Sequence, residues 1–260
     1  MSETIKPAII MIHGMWGGDW CFTNFQNYFE KQGYPCLNPI LRYHDIKPGD
    51  KTDPRLGATS LLDFVADLET LIKLLPQKPI IMGHSMGGIL AQMLGSRKLG
   101  KALILLAPAA PAGIPALTLG AVRCFFRTFL SWGFWRRPFL PSFNEVSYPI
   151  LHSLPFFEQK KKYSQMVPES GRATMEIGLW FLDRHKTSSV NEADINCPVL
   201  IVAGAKDRIT PASSARKMVN KYKKVVTYKE YPEHAHMLMD EDGWEIVADF
   251  VRNWIEQLPE

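Results

Sequence analysis

The stretch Lys78–Leu94, KPIIMGHSMGGILAQML, decides how the rest of the chain is read. Pro79–Met82 is a short apolar run of the kind a buried parallel strand needs, whereas Ile89, Leu90, Met93 and Leu94 recur at the spacing of one helix face. Between them stands Gly83-His84-Ser85-Met86-Gly87. A serine on so sharp a strand-to-helix turn leaves no space for a Cβ two positions to either side, so glycine at 83 and 87 is what such an elbow requires. Ser85 is therefore a candidate nucleophile. A tight turn carrying an incidental serine would use the same glycines, so the reading depends on finding an oxyanion donor, an acid and a base elsewhere.

Toward the N-terminus, Ala8–Ile12 is a continuous apolar run suited to a central strand, and it ends in His13-Gly14-Met15-Trp16-Gly17-Gly18. With the elbow, this resembles the α/β-hydrolase superfamily. The resemblance implies an oxyanion hole made by the backbone N–H of Met86, just after the nucleophile, and that of Met15, with Trp16 as the alternative donor. It also implies an acid after a late strand and a histidine after the last one. Pro198–Ala203 is a strand-like run ending in Gly204-Ala205-Lys206-Asp207, where the family places its acid, so Asp207 is the candidate. Asp207 could also simply cap a helix starting near Ala212. Beyond a last strand at Val225–Tyr231, His234 and His236 compete for the base. His236 is favoured because the family pattern has an acidic residue five positions on, here Glu241, whereas His234 would pair with Met239. The order Ser85, Asp207, His236 is the superfamily's.

Between these motifs the chain alternates strand and helix, the signature of a parallel sheet with right-handed crossovers. Asp19 is expected to cap a helix carrying Phe22, Phe25, Tyr28 and Phe29. Tyr34–Leu41 reads as a strand between Pro35 and Pro39, and Arg42–Gly57 as a polar loop in which His44 and Asp45 are ordinary mixed-charge residues. Ser60 and Asp63 form a capping box ahead of a long amphipathic helix, and Ala102–Leu106 is another strand. The fold class is thus α/β, with a mostly parallel sheet of about six strands flanked by helices, and the family resemblance implies an inserted α-helical cap. The core comprises residues 1–108 and 192–260. Residues 109–191 form the cap, expected to be strandless and rich in aromatics, with a closing helix at Ala173–Asp183 and an Arg172–Glu176 ion pair on it. Trp16, Phe125, Phe129 and Trp132 are the candidate substrate-binding residues. Most of the cap aromatics must be packing. The competing reading gives some of them a pocket, or a face touching lipid bordered by Arg123, Arg127, Arg136 and Arg137.

The 260 residues are 46% hydrophobic with a formal net charge of +4, too weakly basic and too scattered for nucleic acid to be an expected partner. Lys160-Lys161-Lys162 reads as a solvated helix face. The N-terminal stretch lacks a signal-peptide pattern, which places the chain in the cytoplasm by expectation. Cys21, Cys36, Cys124 and Cys197 have no metal-ligand or redox spacing and are expected to be buried, reduced thiols, with no metal and no cofactor. The resemblance implies a serine hydrolase cleaving carboxylic esters through an acyl-enzyme, on small or medium apolar acyl or aryl esters. The alternatives are a lipase or lysophospholipase acting on lipid esters, and a C–C hydrolase or hydroxynitrile-lyase-like enzyme. Met237 follows the presumed base where hydroxynitrile lyases carry a Lys, which counts against the last. Gly17-Gly18-Asp19-Trp20 resembles the corresponding step of small plant-type methyl esterases and related bacterial esterases.

Overall fold

Alternating apolar side chains on short buried strands set the two faces of one central sheet. The computed structural model describes residues 6–115, 117–222 and 225–259. The strands in chain order are β1 (Ile9–Ile12), β2 (Cys36–Leu37), β3 (Ile80–His84), β4 (Ala102–Leu106), β5 (Pro138–Phe139), β6 (Glu169–Ser170), β7 (Val199–Gly204) and β8 (Val226–Tyr231). The helices are α1 (Thr23–Lys31), α2 (Leu61–Lys73), α3 (Met86–Ser96), α4 (Leu119–Leu130), α5 (Phe143–Val146), α6 (Phe156–Gln165), α7 (Gly171–Gly178), α8 (Ala212–Tyr222) and α9 (Trp244–Glu256). Six strands form the main sheet in the order β2-β1-β3-β4-β7-β8, every neighbouring pair parallel. Ile10, Ile12, Ile81, Leu103 and Ile201 face one layer, built from α2, α3 and α8. Ile9, Met11, Met82, Ile104 and Val202 face the other, built from α1 and α9. This two-sided burial explains why the central strands carry no polar alternation.

From β1 the chain goes to β2 on one side and then to β3 on the other. Connections therefore diverge at the C-terminal ends of β1 and β3, which opens the crevice that open α/β sheets use for ligands. Both motifs read from the sequence lie at that crevice.

Several local expectations are corrected. The second strand is only Cys36–Leu37, because Pro39 has no N–H to extend an edge ladder. Asp19 opens a 3-10 turn, Asp19–Phe22, ahead of α1, and no side chain caps it. The segment 109–191 is not strandless, since β5 and β6 pair antiparallel as a two-stranded ribbon. Helix α7 ends at Gly178 rather than Asp183, whose carboxylate instead accepts the N–H groups of His185 and Thr187 in the following turn. Lys162 is largely buried, with its ammonium 2.6 Å from Asp240, so the lysine run is not wholly a solvated face. Cys21 and Cys124 are buried but Cys36 and Cys197 only partly so; all four are free thiols. The capping box at Ser60 and Asp63 is present as expected.

Candidate active site

The elbow is built by close packing of backbone. A Cβ at Gly83 would stand 2.1 Å from the Gly87 carbonyl oxygen, and one at Gly87 would stand 2.0 Å from that of Ile12. Both glycines are therefore required by β1, β3 and α3 meeting at one point. Ser85 sits between β3 and α3 at φ 54° and ψ −116°, a conformation that costs a non-glycine residue energy and must be held by its surroundings. Its N–H donates to Leu106 (3.1 Å), and its carbonyl accepts the N–H groups of Gly88 (2.9 Å) and Ala109 (2.8 Å).

Opposite the serine lies the turn Gly14–Gly17, closed by the Gly17 N–H on the Gly14 carbonyl at 3.3 Å. The same carbonyl accepts His13 Nδ1–H at 2.8 Å, while His13 Nε2 accepts the Leu41 N–H at 3.2 Å. Because a trans peptide points its C=O and N–H in opposite directions, holding the Gly14 oxygen from two sides directs the Met15 N–H away from it. The N–H groups of Met15 and Met86 have no hydrogen-bond partner among the described residues. Burial first, and then neighbouring His44, lower the His13 pKa to about 4, so the ring is neutral and can donate and accept at once. Trp16, the alternative donor, adopts φ 60° and is fixed by burial against Phe125 and Phe139.

His236 Nδ1–H donates to Asp207 Oδ2 at 2.8 Å, and both side chains are almost fully buried. Asp207 Oδ1 accepts the N–H groups of Ile209 (2.8 Å) and Thr210 (2.9 Å), which orient the carboxylate. The aspartate thus ties down its own turn rather than capping α8, whose first residue is Ala212. Thr210 Oγ1 lies 2.8 Å from Asp207 Oδ2, 2.9 Å from the Ala107 carbonyl and 3.2 Å from His236 Nδ1. The loop bearing His236 is clamped by Glu241, which accepts the N–H groups of Ala235 (2.6 Å) and Met237 (2.8 Å). His84 Nε2–H donates to the His236 carbonyl at 2.9 Å, and the two rings lie 4.6 Å apart. Burial, then His236, hold the His84 pKa well below 6.5, so His84 adds no positive charge beside that ring.

Two cavities flank Ser85. The first is a cleft of about 650 Å³, counted out into open solvent, and apart from Ser85, Thr174, Thr210 and Ser214 its lining side chains are apolar, among them Met15, Phe125, Phe129 and Ile177. The second, about 500 Å³, is lined by Ser85, His236, Trp16, Trp20, Phe125 and Met237, among others. Ser85 and His236 share this cavity without a direct hydrogen bond; in unliganded sites such contacts are often loose. Trp16, Phe125 and Phe129 therefore reach the candidate site, and Trp132 does not: it is 86% exposed and packs edge-on against Trp135. His234 faces neither cavity; its ring packs on Tyr231.

Sequence reasoning passed over the contacts that bind segment 109–191 to the sheet. His44 was an ordinary loop residue by expectation, yet its Nδ1–H donates to the Arg42 carbonyl (3.0 Å) and its Nε2 to Glu169 (3.0 Å), with both side chains of the pair fully buried. Burial alone would lower the His44 pKa, but the Glu169 carboxylate beside it raises it above the ordinary value. Glu176, also buried, makes the expected ion pair with Arg172 at 2.6 Å. It further accepts Ser60 Oγ–H (2.9 Å) and the Leu61 N–H (2.9 Å) at the start of α2. The partners in these contacts lie more than a hundred positions apart, and no local pattern signals them.

Comparison with known proteins agrees with this architecture. The sequence model of the alpha/beta hydrolase family matches residues 9–250. A monoacylglycerol lipase of Mycolicibacterium smegmatis is 26% identical over 211 residues, covering 77% of this chain and 72% of the relative. Among solved structures, a methylesterase from Arabidopsis superposes with a TM-score of 0.73 at 14% identity, covering 97% of this chain and 100% of the other. The monoacylglycerol lipase of Paleococcus ferrophilus gives a TM-score of 0.69 at 19% identity, covering 96% and 95%.

Proposed function

Since the chain belongs to the alpha/beta hydrolase family, we propose that it hydrolyses carboxylic esters, with Ser85 as nucleophile, His236 as base and Asp207 as the acid that orients it. The observation that carries this reading is the Asp207–His236 hydrogen bond, whose histidine opens on the same cavity as Ser85. With Nδ1–H committed to Asp207, Nε2 carries the lone pair that removes the serine proton. Ser85 Oγ attacks the ester carbonyl, and the N–H groups of Met15 and Met86 receive the charge that develops on its oxygen. The proton held on Nε2 passes to the departing alkoxide. Water, deprotonated by the same nitrogen, then resolves the acyl-enzyme. In this reading residues 109–191 serve as a cap over a core of residues 1–108 and 192–260, and Phe125, Phe129 and Trp16 contact the substrate.

The apolar lining of the larger cavity favours one narrower reading, an ester of a long-chain fatty acid, with the acyl chain along Phe125, Phe129 and Ile177. It is consistent with the name of the mycobacterial relative. One experiment tests both levels: turnover of a chain-length series of p-nitrophenyl esters by the unmodified protein and by Ser85→Ala. Loss of about 10⁴-fold or more in kcat is expected for the variant. Undiminished turnover removes the serine mechanism, and a preference for acetate over dodecanoate removes the long-chain reading alone.

A further inference from the structure

Helix α4 is apolar on two sides. Ala121, Phe125 and Phe129 line the larger cavity, as the helix packs over Ser85. Leu119 (76% exposed), Val122, Phe126 and Leu130 (71% exposed) face outward. At 100° per residue these four fall within about 80° of one another around the helix, one unbroken stripe beside the cavity-lining face. Trp132, two residues past the helix, is 86% exposed, and exposed Leu117 before the helix is itself part of the cavity wall. The stripe therefore runs from the cavity to the open surface.

The charge around the stripe is predominantly positive. Arg123 and Arg127 border its other edge, both exposed, and exposed Arg136 and Arg137 follow Trp132. Arg127 is partly neutralised by Glu145 at 3.4 Å, whereas Arg123 stacks on Tyr148. Residues 109–191 as a whole hold ten Lys and Arg against five Asp and Glu, a net of +5, in a chain whose total is +4. The rest of the molecule is thus slightly acidic. Leucine, phenylalanine and tryptophan on one face of a helix, edged by arginine, suit the boundary between acyl chains and anionic headgroups. A second protein copy would bring the same positive charge to the contact.

We propose that the outer face of α4, from Leu117 to Trp132, docks on the surface of an anionic lipid bilayer, with Leu119, Val122, Phe126 and Leu130 entering the acyl boundary and Arg123, Arg136 and Arg137 meeting headgroup phosphates. Docked in this way, the molecule presents the Leu117 side of its cavity to the lipid phase. The proposal concerns the surface and is independent of the serine mechanism, so it is tested in Ser85→Ala protein, which cannot consume the lipid through that residue.

The full chain is sedimented with phosphatidylcholine vesicles containing either none or about 30 mol% phosphatidylglycerol. Binding to the anionic vesicles at least tenfold stronger than to the neutral ones is expected, falling severalfold between about 0.05 and 0.5 M NaCl. The variant Leu119→Glu/Phe126→Glu/Leu130→Glu should lose at least tenfold in vesicle binding. In the Ser85 background its turnover of a short water-soluble ester should stay unchanged, which shows that it folds. Equal binding to both vesicle types, or no binding to either, overturns the proposal. So does a triple variant that binds as tightly as its parent, or a concentration-dependent dimer abolished by the same substitutions. Should the triple variant fail to fold, the lipid and salt dependence of the Ser85→Ala protein still decides.

Discussion

Glu241 fixes the backbone on both sides of His236, the candidate base. Its two oxygens accept the N–H groups on either side of His236, and at 3% exposure no water competes for them. Glu241→Gln replaces one acceptor with an NH₂ group facing a backbone N–H, leaving two donors opposed. Charged hydrogen bonds of this type contribute about 1.5–3 kcal/mol each, so a stability loss of about 2 kcal/mol is expected in urea unfolding. The loop would also lose its fixed approach to Ser85. If His236 is the base, kcat should fall by about 10²-fold with KM within a factor of three. A proportional change in KM alone would mean that the clamp serves binding and not positioning. In the sequence, Glu241 was visible only as a spacing from His236; the two N–H groups it satisfies could not be read there.

At the scale of elements, the main-sheet strands other than β2, the elbow and the order of the candidate residues were legible, because each follows from a local rule. Apolar runs make buried strands, and glycines 83 and 87 answer steric demands two residues away. The ribbon of β5 and β6 was not legible, because Pro138–Phe139 and Glu169–Ser170 are too short to show a period and pair across thirty residues. Nor was the function of His44, whose partner Glu169 sits on that ribbon. The pair joins the loop after β2 to segment 109–191 with no access to water. Removing His44 leaves the Glu169 carboxyl buried without its cation, and removing Glu169 leaves burial to strip the proton from His44; either way the loss of a buried partner costs about 3–5 kcal/mol. Glu169→Ala and His44→Ala should each cost this much in urea unfolding, and the double variant distinctly less than their sum. Strict additivity would show that the two groups do not form an ion pair in solution.

For the whole molecule, buried imidazoles set how stability varies with pH. His13 and His84 lie beside the Gly14–Gly17 turn and beside His236, respectively, both lowered by burial, His13 to about 4. Unfolded, each takes a proton near pH 6.5, whereas the folded protein refuses it until far lower. Their contribution is therefore complete above about pH 6.5 and lost as pH falls toward the folded values. Over the window from about 6.5 to 5, His13 alone accounts for a loss of about 2 kcal/mol, with His84 adding in the same direction. The buried carboxyls of Glu176 and Asp240, raised by desolvation, take up protons in the folded state before they do in the unfolded chain and oppose the trend as pH falls through their folded values. His44 has the opposite sign: held above its ordinary value by Glu169, it stabilises fully at low pH and loses its contribution as pH rises through the folded value. Urea midpoints measured every half unit should therefore fall from pH 6.5 to 5, and the slope should flatten in His13→Asn, whose amide can still donate to the Gly14 carbonyl. A midpoint constant from pH 7 to 5, or a slope unaltered by that substitution, would mean that His13 is protonated in the folded protein, and a cationic ring could not accept the Leu41 N–H that helps hold it in place.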